Sequence, residues 1–138
     1  MRKDPVLPSL SILVADDNRD AATGMQKLLQ IHDHSADVAF SGGDVVRMTL
    51  TKEYSVVLLD IGLPDIDGYD VARKLRQLPR CPLIIAISGY GQEEDKKKAS
   101  LAGFDLFLTK PVRISDVLGS IARAHRGPRV LLPEGKRS

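Results

Sequence analysis

Four short apolar runs in this 138-residue chain each end on a side chain suited to chemistry. Ser11-Ile12-Leu13-Val14-Ala15 leads into Asp16-Asp17, Ser55-Val56-Val57-Leu58-Leu59 into Asp60, Leu83-Ile84-Ile85-Ala86-Ile87 into Ser88, and Phe104-Asp105-Leu106-Phe107-Leu108-Thr109 into Lys110. Three carboxylates brought to one place repel one another, and a hard divalent cation is the simplest remedy. Mg²⁺ takes oxygen ligands, keeps several waters, and is held by one or two carboxylates plus phosphate oxygens. A phosphoryl group on Asp60 would present oxygens needing a cation and a hydrogen-bond donor, which Lys110 and Ser88 supply. Phosphoryl transfer asks a protein mainly for positioning and charge neutralisation, and an ionised carboxylate needs no further base to act as nucleophile.

This chemistry requires the four run ends to meet. Strand-length apolar runs are predicted at 10–15, 36–40, 55–60, 83–87 and 105–109, alternating with amphipathic helices at 19–31, 42–51, 67–78, 91–102 and 113–125. Ser41-Gly42-Gly43-Asp44 reads as a capping box with Asp in the usual Glu position, and Pro79 and Pro82 bracket the exit of the third helix. Gly24 contradicts its helix at a cost of about 1 kcal/mol relative to Ala. Strict β-α alternation with short connections argues for an α/β fold, a single doubly wound domain with helices on both faces of a parallel sheet. All strand carboxyl ends of such a sheet share one edge, where ligands bind. In the flavodoxin-like order 2-1-3-4-5, strands 1, 3, 4 and 5 are contiguous, so Asp16, Asp17, Asp60, Ser88 and Lys110 converge.

The motifs Val14-Ala15-Asp16-Asp17-Asn18, Leu58-Leu59-Asp60-Ile61-Gly62-Leu63-Pro64, Ser88-Gly89 and Leu108-Thr109-Lys110-Pro111 occur in that order across about residues 10–125. In this arrangement the chain resembles the receiver domain of two-component response regulators. The resemblance implies that Asp60 is the phosphoacceptor, that Asp17 and Asp60 bind Mg²⁺ directly, and that Asp16 assists through water. It further implies that Gly62 gives the metal its backbone carbonyl, that Ser88 and Lys110 bind phosphoryl oxygens, and that the Lys110-Pro111 bond is cis. The donor would be a histidine kinase or a phosphotransfer protein, and the recipient of the signal an unidentified downstream protein. Such a module assists its own phosphorylation and dephosphorylation without being a turnover enzyme on a separate substrate. The stretch from Ser88 to Asp105 also resembles receivers attached to hybrid sensor histidine kinases.

Phe107 falls where the family often places a switch tyrosine. It can make the packing move that follows Ser88 toward a phosphoryl group, but it lacks the hydroxyl that anchors the tyrosine. Gly62 and Tyr90 sit two positions beyond Asp60 and Ser88, where the family tunes dephosphorylation. Because Gly62 has no side chain to shield an attacking water, Tyr90 is the expected local influence on that rate.

Composition narrows the rest. A hydrophobic content of 43% over 138 residues suits one self-sufficient core. Residues 1–9 read as an N-terminal extension, 10–125 as the domain and 126–138 as a C-terminal tail carrying the apolar Val130-Leu131-Leu132. The extension contributes +1 and the tail +3, so the total of +2 leaves the body at −2. Direct binding of nucleic acid, which calls for a concentrated basic face, is not expected. Lys96-Lys97-Lys98 follow Glu93-Glu94-Asp95, the charge order that suits a helix dipole. No apolar run approaches the roughly 20 residues of a membrane span, and the single Cys81 cannot form an internal disulfide, so a soluble, cytoplasmic protein is expected. The tail is too short for an output domain, leaving a stand-alone receiver or a piece of a longer hybrid kinase.

Several residues have plainer readings. Asp65-Ile66-Asp67-Gly68 superficially matches the nucleophile motif of haloacid-dehalogenase-type phosphatases, but a helix start after a turn accounts for these acids. His32 and His34 read as solvated loop histidines, and Cys81 as a small, partly buried hydrophobe. Two alternatives remain beside the phosphoacceptor: a Mg²⁺-dependent phosphatase of the haloacid-dehalogenase type, and a receiver-shaped interaction module that works without phosphorylation.

Overall fold

The computed structural model describes residues 8–89 and 93–126. Most of the N-terminal extension, Tyr90 and Val130-Leu131-Leu132 therefore lie outside the described residues. The elements alternate as β1 (Ser11–Ala15), α1 (Arg19–Ile31), β2 (Ser35–Ala39), α2 (Gly42–Thr51), β3 (Val56–Asp60), α3 (Gly68–Leu75), β4 (Leu83–Ser88), α4 (Glu93–Ala102), β5 (Leu106–Thr109) and α5 (Ile114–Arg126). All pairings are parallel and the order is β2-β1-β3-β4-β5, as the alternation implied.

The central strands read as unbroken apolar runs because helices cover both faces of the sheet. Alternate side chains enter two separate cores. Leu13, Val57, Leu59, Ile84 and Ala86 meet Val45 of α2, Val71 and Leu75 of α3, and Ala99 of α4 on one face. Ile12, Val14, Leu58 and Ile85 meet Ala22 and Leu29 of α1 and Val117 and Ile121 of α5 on the other. Every residue of β3 is buried. A one-residue slip of that strand would exchange its two faces and drag Asp60 out of place.

Helix α3 stops at Leu75, short of the 78 that its periodicity suggests. Gln77 and Leu78 instead donate to Lys74 and Leu75 in tight turns, because a residue preceding proline, here Pro79, is pushed out of the α region. Ser41 caps α2 as its sequence implied, accepting from Asp44 N at 3.1 Å, while the Asp44 carboxylate turns to Arg47 at 2.7 Å.

Two residues differ from their sequence reading. His34 is buried rather than solvated, at 6% exposure. Helix α1 ends with Asp33 at φ 70°, and His34 N donates to Leu29 O at 3.0 Å, a closure that turns the chain straight into β2. The β1–β2 pairing then draws the imidazole onto the start of β1, where Nδ1 accepts the Leu10 N–H at 3.1 Å. Cys81 is exposed. It precedes β4 at the sheet edge away from the four run ends, and its sulfur accepts from Arg76 Nη1 at 3.4 Å.

Gly24 is exposed and a Cβ there would meet nothing within 4 Å, so no packing demand accounts for it. Gly24→Ala should raise unfolding stability by about 1 kcal/mol in urea titrations. His34 gives a pH dependence of known sign. Burial, the largest cause, and neighbouring His32 lower its pKa below the ordinary 6.5, and protonating Nδ1 would set a donor against the Leu10 N–H. The unfolded chain therefore binds the proton first, and stability falls as pH drops below about 6.5. Urea midpoints measured between about pH 7.5 and 5.5 should show this slope in the wild type and a shallower one in His34→Gln.

Candidate functional site

Four of the five strands, β1, β3, β4 and β5, each deliver one part of the site at the carboxyl edge. Asp16 follows β1, where its N–H donates to Ala39 O at 3.0 Å and its Oδ1 accepts from Asn18 N at 2.9 Å. Asn18 in turn caps α1 by accepting from Ala21 N at 3.1 Å. Asp17, beside it, is exposed. Asp60 closes β3 and is 5% exposed, with Oδ1 accepting from Gly62 N at 2.9 Å and Oδ2 from Lys110 Nζ at 2.9 Å. Ser88 ends β4, is buried, and lies opposite Thr109 in the β4–β5 register. Lys110 leaves β5 with its N–H donating to Ser88 O at 2.8 Å, and the Lys110-Pro111 peptide is cis.

The loop after Asp60 is tightly folded. Ile61 N donates to Ile87 O at 3.0 Å, and Gly68 N reaches back to Ile61 O at 3.3 Å. A Cβ at Gly68 would stand 2.7 Å from Ile61 Cα, so the return of the loop requires glycine. At Gly62 a Cβ would meet Asp60 Oδ1 at an ordinary 3.6 Å, so the turn itself tolerates a side chain.

Carboxylate oxygens of Asp16, Asp17 and Asp60 lie within 4.8 Å of one another. This all-oxygen, triply acidic donor set, without imidazole or thiolate, fits a hard cation such as Mg²⁺. Burial and the neighbouring charges shift the pKa values within this group. Burial, with Asp60 nearby, raises Asp16 above the ordinary carboxylate value despite the Asn18 N–H that opposes it. The hydrogen bond to Asp60, followed by the charges of Asp60, Asp16 and Asp17, raises Lys110.

All five polar side chains singled out in the sequence thus come to one edge. Half-buried Phe107 packs on the core shared with α3 and α4, two residues before Thr109. The acids after Pro64 divide between two helices: Asp67 caps α3 through Tyr69 N at 2.8 Å, while Asp65 reaches α2 and accepts from Gly42 N at 2.8 Å and Gly43 N at 2.9 Å. Neither Asp65, the first acid of the Asp65-Ile66-Asp67-Gly68 motif, nor Asp67 therefore sits at the strand end that a phosphatase nucleophile would occupy; β3 ends at Asp60. The Asp65 contact was missed in the sequence, where the Gly42-Gly43 pair was its one available sign.

Residues 12–122 match the response regulator receiver domain family. Among curated proteins, the transcriptional regulatory protein DltR of Streptococcus agalactiae is 34% identical over 112 residues, covering 81% of this chain and 50% of that protein. Hybrid signal transduction histidine kinase L of Dictyostelium discoideum is 33% identical over 124 residues, covering 83% of this chain and 7% of that protein. The chain thus spans half or less of the length of these relatives. A solved CheY-like receiver domain from Methanospirillum hungatei superposes with a TM-score of 0.78 at 25% identity, covering 84% of this chain and 93% of that one. The chain belongs to the response regulator receiver domain family, whose members are phosphoacceptor signalling modules and not turnover enzymes on a separate substrate. The phosphatase alternative is not favoured. No helix among the described residues is long and apolar enough to cross a membrane.

The clustered acids should weaken the metal-free fold. Asp16→Asn keeps the acceptor for Asn18 N and removes one charge, so urea titrations in EDTA should show it more stable than wild type by about 0.5–1 kcal/mol. Added Mg²⁺ should shrink or reverse that gain.

Proposed function

We propose that this chain is the phosphoacceptor of a two-component phosphorelay, with Asp60 receiving a phosphoryl group from a phosphohistidine of a histidine kinase or phosphotransfer protein. The observation that carries the reading is the setting of Asp60: buried at the end of β3, 2.9 Å from Lys110 Nζ and grouped with two further carboxylates. A carboxylate oxygen of Asp60 attacks phosphorus, the P–N bond breaks, and its electron pair remains on the donor imidazole. Asp17, Asp60 and the Gly62 carbonyl would hold Mg²⁺, with Asp16 acting through water. Bound there, the cation supplies neutralisation of the acids and of the transferred phosphoryl charge.

Lys110 gives up its contact with Asp60 Oδ2 for a phosphoryl oxygen, and the Ser88 hydroxyl binds another. The site is open to a donor on one side, where a cleft of about 470 Å³ bordered by Ala21, Met25 and Pro111 leaves Asp16 and Lys110 accessible. Ser88 and Phe107 then carry the change to the face of α4, β5 and α5, for a downstream protein in the cytoplasm. Two links support this route: Ser88 lies opposite Thr109, and Ala86 opposite Phe107, in the same ladder. Phe107 contributes packing alone. The chain acts either by itself or as the receiver of a longer protein, in keeping with its likeness to a hybrid kinase.

With Mg²⁺ and a small phosphodonor, intact-mass spectrometry should show one base-labile phosphoryl adduct on the wild type and none on Asp60→Asn. An adduct that persists in the variant would overturn the assignment. Equal partner affinity of wild type, Asp60→Asn and beryllofluoride-treated protein would instead favour a phosphorylation-independent module.

A further inference from the structure

The first amides of a helix have no partner within it, and α2 satisfies its own from two sources. Ser41 Oγ, the local cap, accepts from Asp44 N at 3.1 Å. Gly42 N and Gly43 N donate instead to the two carboxylate oxygens of Asp65, at 2.8 and 2.9 Å. Asp65 lies in the loop that follows Asp60, more than twenty residues further along the chain. These two N–H groups hold the Asp65 carboxyl below the usual carboxylate range, Gly43 most strongly. Charge-assisted bonds of this kind are stronger than neutral ones, and the helix N-terminus favours the anion.

The glycine pair is shaped for this contact. A Cβ on Gly42 would stand 2.9 Å from Ile66 Cβ, and one on Gly43 would stand 3.2 Å from Asp65 Oδ2. The loop therefore lies directly on the first turn of α2. Its other backbone hydrogen bonds, Ile61 N to Ile87 O, Gly68 N to Ile61 O and Gly62 N to Asp60 Oδ1, lie at its two ends, while Leu63 is held by apolar burial and Ile66 packs against the same core. Asp65 ties its middle to a different helix.

We propose that Asp65 is a positioning residue for the phosphoacceptor site: its two bonds to α2 fix the loop carrying Gly62 and thereby set the geometry of Gly62 against Asp60. The functional part of this inference rests on the phosphoacceptor reading. Asp65 touches none of the reacting groups and acts through the backbone between Gly62 and Asp65.

Two variants separate positioning from helix capping. Asp65→Ala and Ser41→Ala each remove a cap from α2, but only the first releases the loop. In metal-free protein, NMR hydrogen exchange at the Ile61 and Gly62 amides should quicken about tenfold in Asp65→Ala and stay near wild type in Ser41→Ala. Asp65→Asn, which keeps one acceptor oxygen, should fall between. In the same series, Mg²⁺ affinity followed by amide shifts should weaken about three- to tenfold in Asp65→Ala and remain unchanged in Ser41→Ala. Unchanged exchange at Gly62 in Asp65→Ala, or an equal change in Ser41→Ala, would overturn the proposal. A wild type that forms no phosphoryl adduct would sink the phosphoacceptor reading, while the metal-free exchange comparison would still decide whether Asp65 holds the loop.

Discussion

Asp60 and Lys110 meet at 2.9 Å although fifty positions separate them in the chain. Their contact depends on the sheet. Asp60 ends the central strand β3, Lys110 leaves the edge strand β5, and β4 lies between them with Ser88 accepting the Lys110 backbone N–H. Parallel pairing brings all three ends to one edge, and the order β2-β1-β3-β4-β5 sets β1, β3, β4 and β5 side by side there. The pair itself is not a large source of stability, since the Lys110 side chain is 42% exposed and solvent screens it. Its importance is positional: it supplies a cation to a carboxylate that is otherwise surrounded by buried strand and two more acids.

The fold separates support from chemistry. Both faces of the sheet are occupied by aliphatic side chains and covered by helices, so the apolar burial that stabilises the domain is complete without the carboxyl edge. That edge can therefore carry an unfavourable arrangement, three carboxylates within 4.8 Å, against the stability gained elsewhere. The outer strand β2 shows the ordinary alternative. There, in mid-strand, Asp37 Oδ2 accepts from Tyr54 Oη at 2.7 Å and Lys52 Nζ at 2.9 Å, an acid paired with a cation and a hydroxyl.

The fold and the five polar side chains of the site were legible in the sequence because each rests on a local signal joined to one topological rule. Asp60 is marked by the apolar run before it, and the βα alternation then fixes the edge on which it lies. What escaped is set by contacts distant in sequence. The burial of His34 depends on the start of β1 arriving beside it, which nothing in His32-Asp33-His34 announces. Cys81 follows a similar logic in reverse, since its neighbour Pro82 is buried while its own sulfur faces the Arg76 guanidinium at the surface. Asp65 and Asp67 look alike in the sequence and both cap helices, yet they cap different ones. The choice is made in three dimensions by the glycines at 42 and 43, which let the loop approach α2.

The proposed reaction changes few contacts, and that bears on how a signal could leave the site. Lys110 exchanges one acid oxygen for a phosphoryl oxygen, while its backbone N–H still holds Ser88 O, so β4 and β5 remain joined as the charge moves. On the other side, Asp65 keeps the loop after Asp60 against α2, which opposes movement in that direction. If the reaction and the Asp65 anchor are as proposed, a disturbance at Asp60 would pass more readily toward β4 and β5 than toward α2. Phe107 lies on that yielding side, half-buried among residues of α3 and α4. Lacking a hydroxyl, it can respond to displacement of the ladder only by repacking, so the output of this domain should depend on shape at the α4–β5 surface more than on a new hydrogen bond there.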